Sequence, residues 1–201
     1  MDHNGLLIFV KNPVEGKVKT RLAKTIGDHN ALLIYRALLK HTQTIASEIS
    51  VSRYLFYDEK IEISDNWLNN LYTKNQQING DLGKRMSAAF EHVFSKGVSK
   101  AIIIGSDCIE LTTEIINNAF ELLENNDVVI GPALDGGYYL LGMKTLHNCI
   151  FENKSWSTDL LLAETLESLK KENLSVQLVP KLSDIDTETD LTPELRNLIV
   201  G

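Results

Sequence analysis

Cysteine is scarce in this chain: Cys108 and Cys149 are the only two among 201 residues. They form no C-x-x-C pair, which excludes a disulfide-stapled scaffold and favours a reducing compartment. The five histidines, at positions 3, 29, 41, 92 and 147, make no H-x-H or H-E-x-x-H pair, which argues against a zinc site. No apolar run approaches the roughly 20 residues of a membrane-spanning helix. The start, Met-Asp-His-Asn-Gly, lacks a cationic region, and the apolar run after it is only about five residues long. No signal peptide is expected, and the expected location is the cytoplasm. Positive charge is in deficit as well. Lys and Arg total 20 against 27 Asp and Glu, a formal net charge of −7, which argues against broad nucleic-acid binding. Repeats, low-complexity tracts and linkers are absent, so residues 1–201 read as one domain. With 43% apolar and 23% charged residues, the composition is that of a globular protein.

The pattern of apolar residues predicts alternating strands and helices. Gly5–Val10 and Ala101–Ile104 read as buried central strands. Further strands are expected at Val51–Tyr57, Thr73–Ile78 (an edge), Asp127–Ile130, Tyr138–Met143 and Ser175–Val179. Helical spacing covers 28–47, with Asp28 as a possible cap, then Leu82–Phe94, Thr112–Leu123 and Thr158–Leu169. A short helix is expected at Ile63–Leu71. A terminal helix, Pro193–Val200, has Thr192 as N-cap and Pro193 at N1. This order predicts a mostly parallel α/β sheet covered on both faces. Only Gly131–Gly137 separates two of the strands, so a local antiparallel insertion and hence a mixed sheet are expected.

In open α/β sheets, ligands sit beyond the carboxyl ends of strands. Four chemistry-bearing segments follow predicted strands. The first, Lys11–Arg21, gathers Lys11, Lys17, Lys19 and Arg21 in an acidic protein. It is not a P-loop, because Lys11 and Val18 stand where glycine and a hydroxyl are needed, and G-x-G-x-x-G is absent. A strand, a Pro/Gly loop and a cationic stretch opening a helix still suit phosphate; a solvated basic turn is the plainer alternative. In the second segment, Gly105-Ser106-Asp107-Cys108, a carboxylate stands at a central strand end. Asp107 is a candidate Mg²⁺ or Mn²⁺ ligand, or else a helix cap. Cys108 reads as a small buried hydrophobe.

The third segment holds Asp135-Gly136-Gly137. Asp135 could orient or deprotonate an acceptor hydroxyl and the glycines could admit a ligand; a tight hairpin turn explains the same residues. In the fourth, Asp184–Asp190, Thr187 and Asp190 resemble a capping box, which leaves Asp186 as the better second metal ligand. Between the first two segments, Gly80 and Gly83 make a close-approach loop and Gln77 could bond a base edge. Arg85 could hold phosphate or pair with Asp81. Trp156 could stack on a base or sugar, or simply join the core.

In order, F-V-K-N-P-V-E-G-K-V-K-T-R-L, G-D-L-G-K-R-M, G-S-D-C, G-P-A-L-D-G-G-Y-Y-L-L-G, W-S-T and D-I-D-T-E-T-D-L span residues 9 to about 191. These blocks resemble the bacterial radical-SAM/selenodomain-associated transferases, a branch of the GT-A nucleotide-diphospho-sugar transferase superfamily that carries the glycosyltransferase label. The resemblance implies a GT-A fold: a Rossmann-like three-layer sandwich with a mixed, mostly parallel sheet. It implies a nucleotide sugar or nucleoside triphosphate as substrate, a small-molecule acceptor, and Mg²⁺ or Mn²⁺. Lys17, Lys19 and Arg21 would hold phosphates, with Lys11, Gln77, Gly80, Asp81, Arg85, Ser106, Gly136, Gly137 and Trp156 around the nucleotide and substrate. Asp107 and Asp186 would hold metal, and Asp135 would serve the acceptor. Ile109 replaces a frequent proline, Lys84 replaces a common acidic residue, and no D-x-D pair follows Asp107. Glycosyl transfer is the expected reaction, with nucleotidylyl transfer as the close rival and a non-catalytic nucleotide-binding module as the other class.

Overall fold

The computed structural model describes residues 3–199. Seven strands form one sheet: β1 (Asn4–Val10), β2 (Ser52–Tyr57), β3 (Thr73–Gln76), β4 (Lys100–Ile104), β5 (Val128–Pro132), β6 (Tyr138–Met143) and β7 (Val176–Leu178). Six helices accompany them: α1 (Thr20–Ile26), α2 (Asp28–Ser47), α3 (Leu82–Ser95), α4 (Thr113–Leu122), α5 (Leu161–Lys171) and α6 (Pro193–Asn197). The spatial order is β3-β2-β1-β4-β6-β5-β7. Only β6 runs against its neighbours β4 and β5. Its link from β5 is a short turn, which cannot make the crossover that parallel pairing needs.

Alternation along the central strands divides the core. Leu6, Ile8, Ile102 and Ile104 pack with Ile45 and Ala46 of α2 and Ile116, Ala119 and Phe120 of α4. Leu7, Ala101 and Ile103 face the other way, onto Met86, Ala89, Phe90 and Val93 of α3 and Leu169 of α5. The result is the expected three-layer sandwich.

The chain leaves β1 in one direction to build β2 and β3, then returns to place β4 on the other side of β1. The carboxyl ends of β1 and β4 therefore stand side by side at the point where strand order reverses. That is where an open α/β sheet opens a crevice.

Several expectations need correction. Ile63–Leu71 is not helical. Asp65 accepts from the Trp67 amide at 3.0 Å, and Trp67 and Tyr72 are buried, so an aromatic anchor and an Asx turn hold the segment as a loop. Asp28 does not cap α2; it is that helix's first residue, and Gly27 joins α2 to the preceding α1. The α5 helix begins at Leu161 rather than Thr158, because the Leu162 amide, which a helix from Thr158 would bond to the Thr158 carbonyl, donates to the Gly136 carbonyl at 2.9 Å. Pro193 and Thr192 do start α6 as expected, but Val200 lies outside the described residues. No helix among the described residues is long and apolar enough to cross a membrane.

The edge strand β7 is tied to β5 by Asp127. Its Oδ2 accepts from the Ser175 amide at 2.8 Å and the Ser175 hydroxyl at 2.6 Å. The Ser175 hydroxyl and amide hold the Asp127 carboxyl below its usual range. A depressed carboxyl stabilises the fold above its unfolded pKa and loses that contribution as pH falls through the folded value. Asp127→Ala should cost about 1 kcal/mol at neutral pH. In urea melts, the gap from wild type should close as pH drops below the ordinary carboxylate pKa of about 4.

Candidate active site

Tyr35, on α2, joins the two central strand ends. Its hydroxyl accepts from the Lys11 amide at 2.7 Å and lies 3.2 Å from the Ser106 hydroxyl. Asn12 fastens the loop beyond β1. It is buried, its amide donates to Asp58 Oδ1 at 2.8 Å, and its side-chain oxygen accepts from the Glu59 and Lys60 amides. Against this frame opens a pocket of about 300 Å³, lined by Lys11, Lys19, Arg21, Tyr35, Asp107 and Asp186 among others.

Lys19 is its centre. The Nζ lies 2.9 Å from Asp107 Oδ2 and 3.2 Å from Asp186 Oδ1, and its side chain is only 4% exposed. Burial alone would lower the ammonium pKa, but the two carboxylates outweigh it and the net shift is upward. The backbone of Lys19 is left-handed, φ 49° and ψ 43°, at the N-cap of α1. A non-glycine residue held there costs on the order of 1–3 kcal/mol, and such strain gathers at functional sites. Arg21 Nη1 reaches Asp186 Oδ2 at 3.2 Å.

The strand-to-loop geometry sets the carboxylates. The Ile185 amide donates to the Asp107 carbonyl at 3.0 Å, which stitches the 184–186 segment to the end of β4. Asp190 Oδ2 accepts from the amides of Asp186 and Thr187, at 3.1 and 2.6 Å, and the expected capping box is present. Asp184 is mostly buried; burial, then the charges of Asp107, Asp135 and Asp186, push its carboxyl up to about 7 against the opposing pull of Lys19. The pocket lining itself sets two carboxylates, Asp107 and Asp186, beside three cations, Lys11, Lys19 and Arg21, and the charges of Asp107 and Asp186 reach the Asp184 carboxyl.

Among the described residues, no group of three or more His, Cys, Asp or Glu side chains is arranged to hold a metal ion. Magnesium does not require one, since it takes one or two carboxylates and fills its shell with phosphate and water. Asp107 and Asp186 fit that demand. Both offer hard oxygens, both are partly exposed at 42% and 36%, and both already share one stand-in cation, the Lys19 ammonium.

The other expected residues divide. Lys11, Ser106 and Arg21 belong to the pocket or its frame. Lys17 turns away to Glu59, at 3.0 Å, so its charge is spent on an exposed ion pair. Arg85 bonds the Gln77 side-chain oxygen at 3.0 Å and does not pair with Asp81, which instead caps α3 through the Lys84 amide at 2.8 Å. Gln77 is buried and its Nε2 donates to the Phe56 carbonyl at 3.0 Å, so it braces the strand ends.

Asp135 is exposed and closes the β5–β6 turn by accepting from the Gly137 amide at 2.9 Å. Its charge still reaches Asp184. Gly136, at φ 91°, packs on the backbone of Asp159. Gly80 precedes the Asp81 cap. Trp156 lies against Gly83, where a Cβ would come within 2.3 Å of the ring. It lines a larger cleft of about 760 Å³ with Asp81, Lys84 and Phe151, between α3 and the chain after β6. Cys108 is a buried hydrophobe as expected, and burial pushes its thiol up to about 12.

Sequence reasoning did not single out Tyr35, Asn12 or Asp184 as site residues. Asp184 stood in a visible acidic run. Tyr35 carried no signal, since a buried aromatic on a helix is ordinary until its hydroxyl is seen between two strand ends.

This sheet order, with a strand-end pocket at the reversal point, is the fold of nucleotide-diphospho-sugar transferases. A candidate nucleotide-diphospho-sugar transferase from Desulfovibrio desulfuricans G20 matches with a TM-score of 0.84 at 28% identity, covering 98% of this chain and 91% of that one. The chain belongs to the family described as "Uncharacterized protein conserved in bacteria (DUF2064)", matched over residues 41–158. Asp107, Asp135 and Trp156 fall inside that stretch; Lys19 and Asp186 fall outside it.

Two further solved structures share the fold. The inositol-1-phosphate CTP transferase of T. maritima has a TM-score of 0.61 at 14% identity, covering 99% and 96% of the two chains. The 4-diphosphocytidyl-2C-methyl-D-erythritol synthase of Anaerococcus prevotii DSM 20548 has 0.62 at 9%, covering 98% and 95%. No curated protein matches the chain. An association with radical-SAM proteins has no counterpart in these matches.

Proposed function

We propose that the protein is a transferase that works at the phosphates of a nucleotide, moving a glycosyl group from a nucleotide sugar to a small acceptor. The observation that carries this reading is the Lys19 ammonium held between Asp107 and Asp186 at the β1–β4 crevice. With the Lys19 ammonium already paired to Asp107 and Asp186, a phosphate arriving alone would compete with those carboxylates for it. Accompanied by a divalent cation, it would not.

Asp107 and Asp186 would hold Mg²⁺ or Mn²⁺, which when bound supplies charge stabilisation to the phosphate oxygens. Lys19 and Arg21 would take the developing charge on the departing nucleoside diphosphate. Lys11 stands at the pocket rim. We assign the acceptor side to Asp135, which would accept the hydroxyl proton as the acceptor oxygen attacks the sugar's anomeric carbon. Trp156 would offer its ring to the sugar or base in the cleft between α3 and the chain after β6.

A second reading, nucleotidylyl transfer from a nucleoside triphosphate, has its own support. Cys108 after Asp107 is buried and Ile109 is apolar, so the second carboxylate comes from a distant loop instead of a D-x-D pair. The two reactions differ in what leaves. Incubation with a panel of nucleotide sugars and of nucleoside triphosphates, with Mg²⁺, should release nucleoside diphosphate from a sugar donor. Pyrophosphate release from a triphosphate would replace the first reading by the second. Binding of nucleotide with no turnover of either donor would leave only a binding module.

A further inference from the structure

Lys19 stands where a metal held by Asp107 and Asp186 would compete with it. Its Nζ engages one oxygen of each carboxylate, Asp107 Oδ2 and Asp186 Oδ1, and the lysine side chain is almost wholly enclosed while the carboxylates face solvent at 42% and 36%. A divalent cation reaching those oxygens meets a positive charge already in place. Ammonium and metal cannot both sit between the same two carboxylates, since charges a few ångströms apart repel strongly in such a site.

The alternative seat for the ammonium is close by. The pocket of about 300 Å³ that contains Lys19 also holds Lys11, Arg21 and Tyr35, and it has room for a phosphate group beside the lysine stem. The stem leaves the backbone at a left-handed joint at the start of α1, and the Lys19 side chain caps nothing in that helix. The ammonium is therefore anchored by the two carboxylates and not by the helix it introduces.

We propose that Lys19 is a resident counter-ion that neutralises the two carboxylates before metal binds, and that an incoming divalent metal displaces it onto the substrate's phosphate, so that metal and phosphate bind cooperatively. This rests on the metal-dependent reading above and adds to it a reason why metal alone binds weakly. The metal gains two carboxylates only when the ammonium has a phosphate to receive it; the phosphate gains a freed ammonium only when the metal has arrived. Each binding step lowers the cost of the other by the same factor, as linkage requires.

The test uses Mn²⁺ alone, titrated calorimetrically into wild-type protein and Lys19→Met. Removing the ammonium should tighten Mn²⁺ binding by about 10–100-fold, the usual span of such a coupling. Adding Asp107→Asn to Lys19→Met should abolish the gain. Millimolar inorganic phosphate should tighten Mn²⁺ binding to wild type by a clearly larger factor than to Lys19→Met, which keeps only the direct metal–phosphate attraction. Equal Mn²⁺ affinity in wild type and Lys19→Met overturns the exchange while leaving a metal site intact. No Mn²⁺ binding by either protein, with or without phosphate, overturns the metal assignment as well. Should Lys19→Met fail to fold, wild type decides by amine-reactive labelling read by mass spectrometry. Saturating Mn²⁺ with phosphate should change Lys19 labelling several-fold relative to exposed Lys171, and identical labelling in the metal-bound protein overturns the proposal.

Discussion

Asp107→Asn should lower turnover by about a thousandfold while the protein stays folded, the loss expected when a charge that stabilises the transition state is removed from a preorganised site. The fold survives because the Asp107 backbone keeps its bond from Ile185, and the new amide fills the same volume. Lys19 keeps Asp186 as a partner at 3.2 Å, so its buried ammonium is not left unpaired. What the amide cannot do is neutralise Lys19 or offer an anionic oxygen to a divalent cation. The comparison is made on whichever donor in the panel is turned over, with circular dichroism to show the fold. Turnover within a factor of a few of wild type would remove Asp107 from the chemistry.

The second large effect falls on stability. Gly136→Ala should cost about 3 kcal/mol or more, combining an unfavourable backbone with overpacking. A Cβ at 136 would come within 2.3 Å of the Asp159 carbonyl oxygen and 2.4 Å of its Cα, and φ is 91°. Both contacts are backbone atoms, which cannot swing aside. The Gly136 carbonyl also accepts from the Leu162 amide at 2.9 Å, so displacing the turn disturbs the start of α5. The midpoint of thermal unfolding should fall by roughly 6–12 °C. Gly97→Ala is the control, because Gly97 has φ 84° but nothing within 4 Å of its Cβ. That substitution should cost only about 1 kcal/mol, from strain alone. Equal losses at the two positions would mean that the contact with Asp159 carries no weight.

Much of the fold was legible because the strands announce themselves. Leu6–Val10 and Ala101–Ile104 are continuous apolar runs, and short runs of that kind bury on both faces of a parallel sheet. The antiparallel β6 was readable from the brevity of the turn before it. The loop around Trp67 was not, because its conformation comes from Asp65 bonding its own neighbours and from two aromatics reaching the core, neither of which has a period. α1 was visible only as a cationic stretch, whereas the helix expected over 28–47 is α2 with the same bounds.

The site was legible in its parts but not in its pairing. The basic stretch after β1 reads as a place of excess positive charge, yet the structure neutralises it: Lys17 on Glu59, Lys19 on Asp107 and Asp186, Arg21 on Asp186. Charge counted along the chain misses partners such as Asp186 that arrive 167 positions later. The same pairing turns a simple anion cradle into a centre where cations and carboxylates already meet. Gln77 and Arg85 show the opposite case, since residues suited to a base edge bond each other and hold β2, β3 and α3 together.

The central proposal is that Asp107 and Asp186 meet a divalent cation and a nucleotide phosphate in the β1–β4 crevice. Anomalous diffraction from crystals grown with Mn²⁺ and a nucleotide that the protein turns over tests it directly. The expected result is a manganese peak within coordination distance of an Asp107 carboxylate oxygen, with a phosphate oxygen in its shell and the Lys19 ammonium moved to the phosphate. A bound nucleotide whose phosphates lie away from this crevice, with no manganese beside Asp107, would contradict it.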